Sequence, residues 1–186
     1  IAWMNERFPI VNFFSGFVMY FMIFGVAAHV SQVAEPARGF HWIAGLVLVS
    51  FFLLLRVIYE HKDYEKDLIS HPQLVLKSGR ISLWDLKIVG AVCLILQVLF
   101  VAWVDRGFGA TAISYLLLLV WTGLMAKEFF ARRWLQSHLF AYAISHMLIA
   151  PLSVFWILAS LHQSFQFIEK FLFLLILPFM AGMVYE

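Results

Sequence analysis

Three carboxylates in one short stretch are the residues best able to do chemistry. The run Arg56-Val-Ile-Tyr-Glu60-His-Lys-Asp63-Tyr-Glu-Lys-Asp67 spaces its charges three and four apart. On a continuous helix, Arg56, Glu60, Asp63 and Asp67 fall within an arc of roughly 60°. Like charges at that spacing repel, so something positive belongs among them. Mg²⁺ suits the place, because it prefers carboxylates, waters and substrate phosphate oxygens. The plainer alternative is a solvated helix end, with Lys62 and Lys66 pairing Asp63, Glu65 or Asp67. Arg56 could also tie down Glu60 one turn away, a structural role.

The elements that must position these groups are membrane helices. The chain has 186 residues, 63% hydrophobic and 13% charged, with mean hydropathy +0.90. Soluble domains are about 45–50% apolar and about 25% charged. A water-soluble fold could not hide this much apolar surface. Disorder, a disulfide scaffold and a nucleic-acid module are excluded on the same grounds, and the single Cys93 has no internal partner. A spanning helix needs about 20 apolar residues. Six segments qualify as predicted membrane helices of an all-α, multi-pass bundle: Ile10–Val30, Phe40–Tyr59, Leu86–Val104, Ala110–Ala126, Leu139–Ser160 and Phe167–Tyr185.

Ten of the 13 Lys and Arg residues fall on one side of this arrangement. By the positive-inside rule that side is cytoplasmic, so the N-terminus, the Glu60–Asp85 loop and the Lys127–His138 loop share it. Trp3, Trp42, Trp84, Trp103 and Trp134 lie near helix ends, where an interfacial belt would put them.

The Glu60–Asp85 connection is the long one, and long loops in compact proteins tend to be functional or disordered. It continues His71-Pro72-Gln-Leu-Val-Leu76-Lys77-Ser78-Gly79-Arg80-Ile81-Ser82. Pro72 and Ser78-Gly79 are turn signals, and Ser82-Leu-Trp-Asp85 reads as a capping box opening the next helix.

In these two stretches the chain resembles the UbiA superfamily of intramembrane prenyltransferases. That family carries an Asn/Asp-rich motif ending Asp-x-x-x-Asp, followed by a linker like His/Asn-Pro-x-Arg-Pro-Leu-x-Ser-Gly-Arg-Ile-Ser. Asp63 and Asp67 match the last two aspartates. His71, Pro72, Leu76, Ser78, Gly79, Arg80, Ile81 and Ser82 match the linker in register. The departures are Tyr59 and Glu60 in place of the usual Asn and Asp, and Leu74 and Val75 in place of Arg and Pro. The run around Glu60 looks like a less studied bacterial branch.

The resemblance implies a Mg²⁺-dependent enzyme of a bacterial inner membrane. It would move an isoprenyl group from a prenyl diphosphate to a lipophilic or aromatic acceptor. Asp63 and Asp67 would be the catalytic acids, with Glu60, Asp63 and Asp67 as the metal ligands. Arg80, which the linker match carries, would bind the diphosphate; Lys77, and Lys127, Arg132 or Arg133 on the next loop, would assist by their side and charge alone, which the positive-inside rule also explains. The allyl cation would need a dry, aromatic-rich cavity. Residues 1–186 would be a single transmembrane domain, the first two-thirds of a nine-helix domain. A second acidic motif would begin at Glu186, since Met183-Val184-Tyr185-Glu186 echoes Val57-Ile58-Tyr59-Glu60.

Other readings stand beside this one. His146, mid-helix beside Pro151, could contact an acceptor or act as a base. Its plainer role is a hydrogen bond to a neighbour. A haem protein would need paired axial histidines on adjacent helices, and the His positions do not repeat. A non-catalytic transporter or scaffold remains the main alternative.

Overall fold

The computed structural model describes residues 2–31, 36, 39–71, 73–173 and 176, apart from the side chain of Gln136. All regular structure among them is helical. The order is α1 (Ala2–Arg7), α2 (Ile10–Ser31), α3 (Phe40–Lys62), α4 (Tyr64–Ser70), α5 (Leu83–Asp105) and α6 (Ala110–Ala126). A short 3₁₀ turn (Glu128–Phe130), α7 (Arg132–Ser137), α8 (Leu139–Met147) and α9 (Ile149–His162) follow.

Among the described residues, four helices are long and apolar enough to cross a bilayer: α2, α3, α5 and the Leu139–His162 segment made of α8 and α9. Helices suit such sequences because hydrocarbon offers no partner for a free backbone N–H or C=O. The α8–α9 junction falls at Leu148. Pro151 has no N–H to give the carbonyl one turn back, which is that of Met147. Of the other two expected spans, α6 has 17 residues, short of the roughly 20 a crossing needs. The last, Phe167–Tyr185, is helical over residues 168–173, and its C-terminal end with Tyr185 and Glu186 lies outside the described residues. So does Arg38.

The chain divides into two compact units, residues 1–21 with 41–100, and residues 22–40 with 101–186. In the first, α2 and α3 interlock through glycines. A Cβ on Gly16 would meet Val49 Cγ2 at 2.6 Å, and one on Gly45 would meet Phe17 Cε1 at 2.6 Å. Small residues that let helix backbones approach are how membrane helices gain packing when lipid is as apolar as the side chains. Helices α3 and α5 share a buried polar pair, Gln97 Nε2 donating to Ser50 Oγ at 3.1 Å.

In the second unit α6 packs on α9, with the Tyr115 and Trp156 rings 4.9 Å apart. Buried hydroxyls there return to their own helix: Ser114 to Thr111 C=O, Thr122 to Leu118, Ser153 to Ala150 and Ser160 to Ile157. The Asp105 carboxylate accepts the N–H groups of Gly109 (2.9 Å), Thr111 (3.3 Å) and Ala112 (2.8 Å), which fixes the start of α6.

Four of the five tryptophans expected at helix ends are exposed on the protein surface: Trp42, Trp84, Trp103 and Trp134. Trp3 is not. It is 3% exposed and packs with Val57, Leu76 and Leu86. That buried cluster docks α1 against α3, the long loop and the start of α5.

Candidate functional site

The acidic stretch does not run as one helix. α3 ends at Lys62, and Asp63 breaks the regular path with φ −98° and ψ 6° before α4 begins. Hydrogen bonding continues across the break, from Asp63 N–H to Tyr59 C=O and from Asp67 N–H to Asp63 C=O, both at 2.9 Å. Glu60 therefore sits on the last turn of α3, Asp63 at the bend, and Asp67 on α4.

The positive charge among them comes from the chain itself. Arg7, the last residue of α1, sets Nε 3.1 Å from Glu60 Oε1 and Nη2 3.6 Å from Asp67 Oδ2. Its Nε also lies 3.5 Å from Glu6 Oε1. Arg56 Nη2 donates to the same Glu60 oxygen at 2.8 Å, the expected one-turn pairing. The Glu60 side chain is 2% exposed. Its other oxygen, Oε2, is buried without a hydrogen-bond donor, and the Nε groups of Arg7 and Arg56 are buried without an aligned acceptor. This is a dense ion-paired cluster in which guanidiniums take up one oxygen of Glu60 and reach Asp67.

Among the described residues, no group of three or more His, Cys, Asp or Glu side chains could hold a metal ion. The ligand set expected for Mg²⁺, Glu60, Asp63 and Asp67, does not converge on a common point in this arrangement. A divalent ion at Glu60 and Asp67 would share those carboxylates with Arg7, which contacts one oxygen of each.

The long loop supplies the next layer. Lys77 Nζ donates to Tyr64 C=O at 2.7 Å and lies 3.5 Å over the centre of the Tyr64 ring. Burial pulls its ammonium below the usual lysine range, opposed by the nearby charges of Asp67, Glu60 and Asp63 and reinforced by Arg7. Glu6 Oε2 accepts Val75 N–H at 3.2 Å, a further tie between α1 and the loop. Gly79 takes φ 76°, a turn conformation that a side chain would strain. Arg80 follows it and is exposed; Pro72 lies outside the described residues. The capping box is formed: Ser82 N–H and Oγ–H both reach Asp85 Oδ2, at 2.8 and 2.7 Å, and Asp85 N–H reaches Ser82 Oγ at 3.2 Å.

The same unit holds a cavity of about 450 Å³ whose wall includes Arg7, Arg56 and Tyr59 along with Phe8, Phe52 and Leu55. One helix end therefore presents charged groups beside mainly apolar walls. A second, more apolar cavity of about 460 Å³ lies on the other side of Phe8, lined by α2, α3 and α5 residues including Cys93.

The remaining candidates lie in the second unit. His146 is buried; its Nδ1 pairs with Tyr142 C=O at 3.0 Å and its ring stacks on Tyr142 at 4.0 Å. Arg132 pairs with Glu128 at 3.2 Å.

In the sequence, Arg7 is one of the ten cations on the cytoplasmic side and Trp3 one of the belt tryptophans, and neither role points to the strap they form. Their four-residue spacing, which sets both on one face of a helix, is the signal that could have suggested it.

Four helices able to cross a bilayer make this a membrane-embedded, all-α protein. Comparison with protein-family models, with curated proteins and with solved structures finds no match for the chain.

Proposed function

We propose that this chain is a UbiA-like intramembrane prenyltransferase, which binds an isoprenyl diphosphate and passes the prenyl group to a lipophilic or aromatic acceptor. One observation carries the proposal: Arg7 and Arg56 belong both to the charged cluster and to the wall of a mainly apolar cavity. An amphiphile with a phosphate head and a hydrocarbon tail asks for that combination. Guanidinium groups recognise phosphate oxygens through fork-like paired donors.

In this reading Arg7, Arg56, Lys77 and Arg80 counter the charge of the diphosphate as the carbon–oxygen bond ionises. Phe8, Phe52 and Leu55 line the tail's path and exclude water from the allyl cation. Asp63 and Asp67 hold the basic groups in place on the diphosphate side. Glu60 and Asp67, once freed of Arg7, would hold Mg²⁺, which would help neutralise the diphosphate. The lysine and arginine bias supports a cytoplasmic site at a bacterial inner membrane.

The test is binding of farnesyl and geranylgeranyl diphosphate to the full-length protein in detergent, with Mg²⁺ and with EDTA. Arg56→Gln, Asp63→Asn and Asp67→Asn are measured alongside. Saturable binding that weakens in Arg56→Gln and in the aspartate variants supports the reading. No binding, or binding indifferent to all three, refutes it and leaves the ion-paired cluster as the cap of a transporter or scaffold.

A further inference from the structure

The acidic end of α3 already contains a cation, and it is delivered on a docked strap. α1 is pinned at Trp3, which is 3% exposed among Val57, Leu76 and Leu86. It is tied again by the Glu6–Val75 hydrogen bond. These anchors hold the Arg7 guanidinium against Glu60, Asp67 and Glu6 together. Arg56 completes the neutralisation of Glu60 from within α3. Two guanidiniums thereby offset part of the repulsion that the spacing of these carboxylates creates.

We infer that Arg7 is the built-in counter-cation of the Glu60–Asp67 cluster, occupying the role of a divalent ion and excluding one until α1 undocks or the charge is lost. The physical ground is competition for the same carboxylates, since Arg7 and Arg56 both sit on Glu60 and Arg7 reaches Asp67. A group tethered beside its partner acts at an effective concentration of about 1 mM or more. A free ion must displace Arg7 or enter beside two guanidiniums at a carboxylate that is almost fully buried. This inference rests on the ion pairs alone and stands whether or not a prenyl diphosphate binds nearby.

Mn²⁺ is the probe, followed through the loss of its free-ion paramagnetic resonance signal on adding the full-length protein in detergent. The wild-type chain is expected to leave Mn²⁺ free at micromolar concentrations. Arg7→Gln is expected to bind one ion per chain at least about tenfold more tightly. Arg7→Lys, which keeps the charge, should behave as wild type, and adding Glu60→Gln to Arg7→Gln should abolish the gain. Wild-type binding that is tight and lost in Glu60→Gln would overturn the inference, because the ion would then enter with Arg7 in place. The thermal midpoint of Arg7→Gln provides the second measurement: it should rise with Mn²⁺ while that of wild type does not. A destabilised Arg7→Gln chain that Mn²⁺ fails to raise would also overturn it.

Discussion

Replacing Glu60 by Gln tests whether the buried carboxylate is the centre of the cluster. The side chain is 2% exposed, and one oxygen serves both Arg7 at 3.1 Å and Arg56 at 2.8 Å. Gln keeps the shape and an acceptor but loses the charge. Breaking a buried ion pair by removing one partner costs about 3–5 kcal/mol where both charges are buried. Arg7 and Arg56 are 21% and 31% exposed, so water recovers part of that; the expected loss is about 2 kcal/mol. Asp67→Asn is the internal control. Its contact to Arg7 is 3.6 Å, beyond hydrogen-bond range, and both side chains are 21% exposed, so its expected cost is about 0–1 kcal/mol. The assay is SDS-driven unfolding in mixed micelles, followed by tryptophan fluorescence. Combining Glu60→Gln with Arg7→Gln should give a coupling energy of about 0.5–3 kcal/mol. Equal losses for Glu60→Gln and Asp67→Asn, or a coupling near zero, would refute the reasoning.

Four further outcomes follow from other parts of the fold. Gly45→Val drives a side chain into the Phe17 ring at the α2–α3 contact, and should cost about 1–3 kcal/mol. Gly25→Ala, with nothing within 4 Å of the new Cβ, should be neutral or slightly stabilising in the same unfolding assay. Ser50→Ala removes the acceptor of the Gln97 amide and should lower stability by about 0.6–1.7 kcal/mol, the range measured for hydrogen bonds between membrane helices. Lys77 supplies a pH dependence. Burial holds its folded value below the ordinary one, so between those values the unfolded chain binds more protons. Its contribution to stability therefore rises as pH climbs from the lowered folded value toward the ordinary lysine value. The difference between wild-type and Lys77→Met unfolding curves over that interval should increase with pH, and a flat or falling difference would contradict the burial argument.

Much of the fold is legible because it is local. Apolar runs longer than a bilayer crossing set α2, α3, α5 and the α8–α9 segment, since hydrocarbon admits only backbones that satisfy themselves. Ser82 and Asp85 lie three apart and form their capping box, and Arg56 and Glu60 lie one turn apart and pair. In each case both partners belong to one turn of helix, so spacing alone decides the contact. The same reasoning carries less far where a helix changes direction. Read as one helix, the stretch puts Asp63 on the face of Glu60 and Asp67, but the bend at Asp63 separates α3 from α4.

The sequence by itself determined an all-helical, membrane-embedded chain with a charged, turn-rich connection between two of its long helices. Composition and periodicity suffice for that, because burial in lipid acts on every residue of a span alike. It also spaced the carboxylates at the end of α3 so that a cation among them, or solvated pairing with Lys62 and Lys66, would relieve their repulsion. Only the tertiary structure decided which charge: it docked α1 through Trp3 and carried Arg7 onto Glu60 and Asp67. Trp3 at a helix end reads equally well as a membrane anchor or a core residue. What separates the two is the surface formed by Val57, Leu76 and Leu86, which come from three different parts of the chain and exist as a surface only once folded.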